Sequence, residues 1–296
     1  MTSLLATANA YGWTGKNLRA GLGVTRHPAG TNAPASGDLS LTTFAGQSST
    51  IQPNSGVSLE FATTPTNPFS MTVDATGNIF VGMSNNVSKK TPDGTISTFA
   101  TGFSIGILGI KVDTSGNVFV SDTYSNVIKK ITSDGLSVTT FASGFLNPIG
   151  IDVDSSGNVF VANLGTNQIK KITSDGLSVT TFATGVSAPW GIVLLGDGTM
   201  MVADAGNHVV KKIDSSGATV ATYTGFVYPQ HICKDSFSNV YVADKNDNSI
   251  KKITDGVVTT IISSTGPVCV ACDTRTNNLY ISGDTANNPT KIYKIT

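Results

Sequence analysis

Apolar and polar residues alternate along most of this chain in short bursts, each closed by a cluster of Asp, Ser, Asn and Gly. The stretch from 147 to 184, "NPIGIDVDSSGNVFVANLGTNQIKKITSDGLSVTTFAT", shows the pattern most clearly. "IGIDV" reads as a first strand, followed by a "DSSGN" turn, then "VFVAN", a loop, "QIKKI", a "TSDG" turn and "LSVTTFA". β-Branched and aromatic residues fill the strands, while Asp, Ser and Gly at the turns supply local hydrogen bonds and positive φ. No stretch between these segments carries a helical period.

The same unit recurs. Its core "GNVFV" returns as "GNIFV" at 77, "GNVFV" at 116 and 157, "GTMMV" at 198, "SNVYV" at 238 and "NNLYI" at 277. The successive steps are 39, 41, 41, 40 and 39 residues. One four-stranded sheet per ~40 residues is the signature of propeller blades. The expected fold is therefore an all-β, six-bladed β-propeller.

The sixth copy supplies only three strands, "VCVACD" (268–273), "NLYISGD" (278–284) and "KIYKIT" (291–296). A spare fourth strand, "LSLTTFAG", stands at 39–46, matching "LSVTTFAS" (136–143) and "LSVTTFAT" (177–184). Three-plus-one closure by residues 39–46 is expected, because it would remove two sheet edges. On this reading residues 39–296 form the propeller, with blades from about 68 to 296. Residues 1–38 form an N-terminal arm, docked or extended, and 47–68 connect the closing strand to blade one.

The phrase "P-x-G-I-x-V-D-x-x-G-N-V-F-V-A-D…N…I-K-K-I", seen again in "VADAGNHVVKKI" (202–213) and "VADKNDNSIKKI" (242–253), resembles the NHL repeat, whose members form six-bladed propellers. The resemblance covers 39–296. It implies an architecture more than an activity, since NHL-type propellers include RNA binders, protein-interaction modules, lyases and lactonases.

Composition narrows the choice. With 19 basic and 19 acidic residues the formal charge is zero, which argues against nucleic-acid binding. The paired lysines, as in "IKKI", face opposite sides of their strands, where their stems cover apolar surface. No apolar run approaches the ~20 residues of a membrane helix, and the first residues lack the pattern of a signal peptide. Cytoplasm or an assembled particle is the expected setting. Three cysteines, Cys233, Cys269 and Cys272, leave one unpaired and favour a reducing compartment.

Aligned blades place Ser70, Gly109, Gly150, Gly191, His231 and Cys269 at the channel mouth. The small residues are expected to leave room, so that "PWG", "PQH" and "PVC" enclose a lopsided pocket with Tyr228 and Asp244 nearby. His231 and Cys269 are candidates for a base and nucleophile. Trp190, Tyr228, His231 and Tyr124 are candidate binding residues. Asp122, Asp204 and Asp244 end the second strands of three blades. They are candidate ligands for a divalent cation in the channel, although loop capping explains them better, and no cofactor is expected otherwise.

The resemblance implies further comparisons. Streptogramin-lyase-like propellers pair a channel His with acidic groups around magnesium, for which His231 with Asp244 is the nearest match. Lactonase-type propellers use a Glu ligand, and Glu60 is the only Glu of the chain. The first expectation is a non-enzymatic scaffold acting through protein–protein contacts, partly through residues 1–38, as a structural component of a virion, surface or filament. The alternatives are a channel-mouth lyase or lactonase-type enzyme, and a carbohydrate or small-ligand binder without turnover.

Overall fold

The computed structural model describes residues 58–60, 68–263, 267–283 and 291–295. They build six four-stranded antiparallel sheets arranged as propeller blades. Blade three is formed by Pro148–Val153, Val159–Asn163, Gln168–Ile172 and Val179–Ala183, paired in sequence order. The strands therefore fall where the alternation places them. Each "DSSGN"-type turn is closed by its Asp: Asp154 Oδ1 accepts the Ser156 and Asn158 amides at 2.9 and 2.8 Å. Gly157 sits there at φ 82°, a backbone that disfavours a side chain.

Closure differs from expectation. Blade six has the order Ser58–Glu60, Lys291–Ile295, Asn278–Gly283, Pro267–Asp273, from rim to channel. Its fourth strand does come from an earlier part of the chain, but from residues 58–60 instead of 39–46, which lie outside the described residues along with the arm 1–38. The short strand pairs Ser58 with Tyr293 and Glu60 with Lys291. Repeat similarity pointed to 39–46, but "GVSLEFAT" at 56–63 is a second copy of the repeat ending, one residue shorter than "GLSVTTFAT" (176–184), and its Phe61 stands seven residues before Pro68 as Phe141 stands before Pro148. Glu60 thereby stands on the rim strand, three strands from the channel, about 14 Å at ordinary strand spacing.

Between neighbouring blades lie six apolar clusters, each built from both sheets. One joins Phe80 and Val87 of blade one to Ile107, Val118 and Val120 of blade two. The lysine pairs divide as strand alternation requires. Lys89, Lys130 and Lys171 lie over Phe80, Phe119 and Phe160 at 5.4–5.5 Å from the ring centroids. On the opposite side of the corresponding strands of blades two, four and five, Lys129, Lys211 and Lys251 meet Asp122, Asp204 and Asp244 at 2.8–2.9 Å. Among the described residues no helix is long and apolar enough to cross a membrane.

Candidate active site at the channel mouth

The inner strands bring their first residues together around the channel, but the glycines there do not make room. A Cβ on Gly109 would lie 1.8 Å from the Ile149 carbonyl oxygen. On Gly150 it would lie 2.2 Å from that of Trp190, and on Gly191 2.5 Å from that of Gln230. Glycine at this position lets each inner strand press against the next blade's backbone. Ser70 serves the same junction by donating to the Ile107 carbonyl at 2.9 Å.

Glycine holds this position in blades two to four, while Ser70 in blade one, His231 on Pro229–Lys234 of blade five and Cys269 in blade six replace it. Two residues beyond His231, Cys233 is disulfide-bonded to Cys272 of blade six, with Cα atoms 5.8 Å apart. The expectation of reduced cysteines is thus corrected. Sequence spacing hid the pair because the two residues occupy successive positions on adjacent inner strands, 39 residues apart.

Trp190, Tyr228 and His231 come together as the alignment suggests. The Trp190 indole Nε1 donates to the Tyr228 hydroxyl at 3.3 Å. The Trp190 ring meets Tyr228 at 6.4 Å and His231 at 6.5 Å between centroids, both edge-on. All three are half-buried. Asp244 sets the loop beneath them, accepting the Tyr228 amide at 2.7 Å and the Val227 amide at 3.0 Å. Tyr124 is exposed on the turn Thr123–Ser125 of blade two, packed beside Gly106, with no ring contact to the cluster.

The environment of His231 is electrostatically distinctive. Burial, and the positive charge of Lys245 nearby, push its imidazole down to about 4, so the ring is neutral at physiological pH. Lys245 is anchored by its amide to the Tyr228 carbonyl at 3.1 Å. Sequence reading did not single out Lys245, which begins a tight turn after the second strand and has no counterpart in other blades.

Other candidates fall away. Cys269 is fully buried, directed at the Val270 carbonyl, and burial pushes its thiol up to about 12, far from a nucleophile's range. Asp122, Asp204 and Asp244 are each fully buried within their own blade and already satisfied. Asp122 accepts from the Ser104 hydroxyl and from Lys129. Asp204 accepts from the Ser187 amide, Asn207 and Lys211. They cap loops; in blade three Asn163 does the same for the Leu146 amide.

Whether magnesium fits can be judged from the donors. Asp244 has one oxygen on two backbone amides and the other on Lys251 at 2.8 Å, which leaves nothing for His231 to share. Among the described residues no three His, Cys, Asp or Glu side chains converge as a metal site. The donor set does not suit the ion that the streptogramin-lyase resemblance implies.

No family model and no curated protein matches the sequence. Solved structures do match the fold. Virginiamycin B lyase from Staphylococcus aureus superposes with a TM-score of 0.62 at 19% identity, covering 81% of this chain and 98% of that one. A streptogramin B lyase does so at 0.62 and 15%, covering 81% and 97%. A chain of a nidogen–laminin complex gives 0.61 at 18%, covering 67% and 79%. A further structure holds quinupristin in a catalytically inactive variant of the S. aureus lyase that has one histidine replaced by alanine. The expectation of a non-enzymatic scaffold is corrected by these lyases, and the channel-mouth lyase, its first alternative, is the reading carried forward.

Proposed function

We propose that this chain is an NHL-type propeller lyase that holds its ligand at the channel mouth, with His231 as general base. The observation that carries this is a neutral imidazole at the channel-mouth position that holds glycine in blades two, three and four, set against Trp190. In a lyase reaction the base removes a proton from carbon, the freed electron pair forms a double bond, and the leaving group departs from the neighbouring carbon. His231 has the lone pair for the first step at any pH well above 4. Lys245 places positive charge where the carbanion's negative charge develops. Trp190 and Tyr228 offer aromatic edges to orient the ligand, and the Trp190–Tyr228 hydrogen bond holds those edges in place.

The surrounding rim suits a large, partly apolar ligand. Ile105, Tyr124, Leu146 and Val227 are exposed on loops at the same end of the blades as His231. Quinupristin, the molecule bound by the inactive lyase variant, is therefore the first substrate to try. Wild-type protein is expected to convert it, with loss of substrate and appearance of product followed by liquid chromatography and mass spectrometry. His231→Ala should abolish turnover while leaving the melting temperature and Trp190 fluorescence quenching by ligand in place. Full turnover by His231→Ala would remove the histidine from the chemistry.

A further inference from the structure

The lower half of the channel, away from His231, has its own chemistry. A cavity of about 170 Å³ runs down the axis and reaches Thr72, Lys111, Asp152 and Lys234. Asp152 is buried and fully engaged. Its Oδ1 takes Lys111 at 2.8 Å and the Val153 amide at 2.8 Å, and its Oδ2 takes the Leu194 amide at 2.8 Å. Lys234 lines the same cavity, and among the described residues no carboxylate lies within ion-pair distance of its ammonium. Burial from water pushes that ammonium below its ordinary range, against the attraction of Asp152 and Asp197, while Lys111 adds repulsion. Thr72 is 6% exposed and lines the cavity too, yet its hydroxyl donates to no described residue.

Two cations facing one cavity with a single saturated carboxylate leave a positive excess. A buried hydroxyl without an acceptor adds a second unmet demand of the same sign, since both groups call for an oxygen that accepts hydrogen bonds. We propose that this lower channel binds a small oxyanion, a phosphate or a carboxylate, between Lys234 and Lys111 with the Thr72 hydroxyl as a further donor. Asp152 is then the group that keeps Lys111 extended toward the axis. The site lies further along the same cavity that His231 lines, and its test makes no reference to turnover.

The test uses the full chain and inorganic phosphate at pH 7, with binding read by calorimetry and by melting temperature against sodium chloride of equal ionic strength. Phosphate is expected to raise the melting temperature beyond chloride. Lys234→Met should weaken phosphate binding at least tenfold, and Thr72→Val, which keeps the side-chain shape, severalfold. A parallel series with succinate separates the two sources. A shift with either anion, weakened in both variants, supports the site, and the stronger of the two identifies its chemistry. Equal binding by wild type and both variants, or no effect beyond chloride, overturns it. Thr72→Val keeps the question answerable should Lys234→Met fold poorly.

Discussion

Breaking the Cys233–Cys272 bridge tests how the ring is held at its irregular boundary. The bridge links the inner strands of blades five and six across 39 residues. The chain-entropy relation for a loop of that length gives about 13 cal/mol/K, or about 4 kcal/mol at 25 °C, as the destabilisation on opening it. For a protein of this size each kcal/mol moves the melting temperature by about 2–4 °C, so the expected fall is on the order of 10 °C. The perturbation is Cys233→Ala with Cys272→Ala, which removes the bridge without leaving a thiol to mispair. Calorimetric melting of wild type with and without a phosphine reductant supplies an independent measurement. Thiol titration in denaturant comes first: one reactive thiol, Cys269, is expected in the oxidised protein and three after reduction. Hydrogen exchange should then quicken selectively in Pro229–Lys234 and Pro267–Asp273. Three thiols before reduction, or a double variant that melts with wild type, would refute the reasoning, because the boundary would then be held by packing alone.

Three further outcomes follow from the same geometry. The pH profile of kcat/KM should keep its activity down through pH 6 and 5 and fall only near pH 4, since His231 protonates about there; an acid limb near 6.5 would mean an ordinary, solvated imidazole. Gly150→Ala should destabilise by about 1–3 kcal/mol in urea unfolding, because the added methyl meets the Trp190 carbonyl at 2.2 Å. Lys251→Met should be more damaging, about 3–5 kcal/mol, as it strands the fully buried Asp244; Lys252→Met, which loses only a ring contact to Tyr241, should change stability by less than about 1 kcal/mol.

Strands, turns and blade count were legible because each rests on local chemistry repeated six times. Alternation sets the strands, Asp and Gly set the turns, and the period sets the ring. The clustering of Trp190, Tyr228 and His231 was legible for the same reason, since aligned blades place equivalent residues side by side. What escaped lay across blade boundaries. The disulfide depends on Cys233 and Cys272 leaning toward each other from non-equivalent positions, which a repeat alignment conceals. The glycines were misread as open space because their purpose, close approach to a carbonyl in the next blade, involves backbone atoms common to all residues. The closing strand was sought in the longest match, 39–46, and the shorter copy "GVSLEFAT" (56–63), which contains the pairing residues 58–60, was passed over because it lacks one residue of the repeat.

The boundary between blades five and six joins these observations physically. His231 and Cys233 lie two residues apart on the inner strand Pro229–Lys234, and the bridge to Cys272 ties that strand to blade six. The strand that carries the imidazole is therefore the one the disulfide holds. Removing the bridge should loosen His231 as well as lower stability.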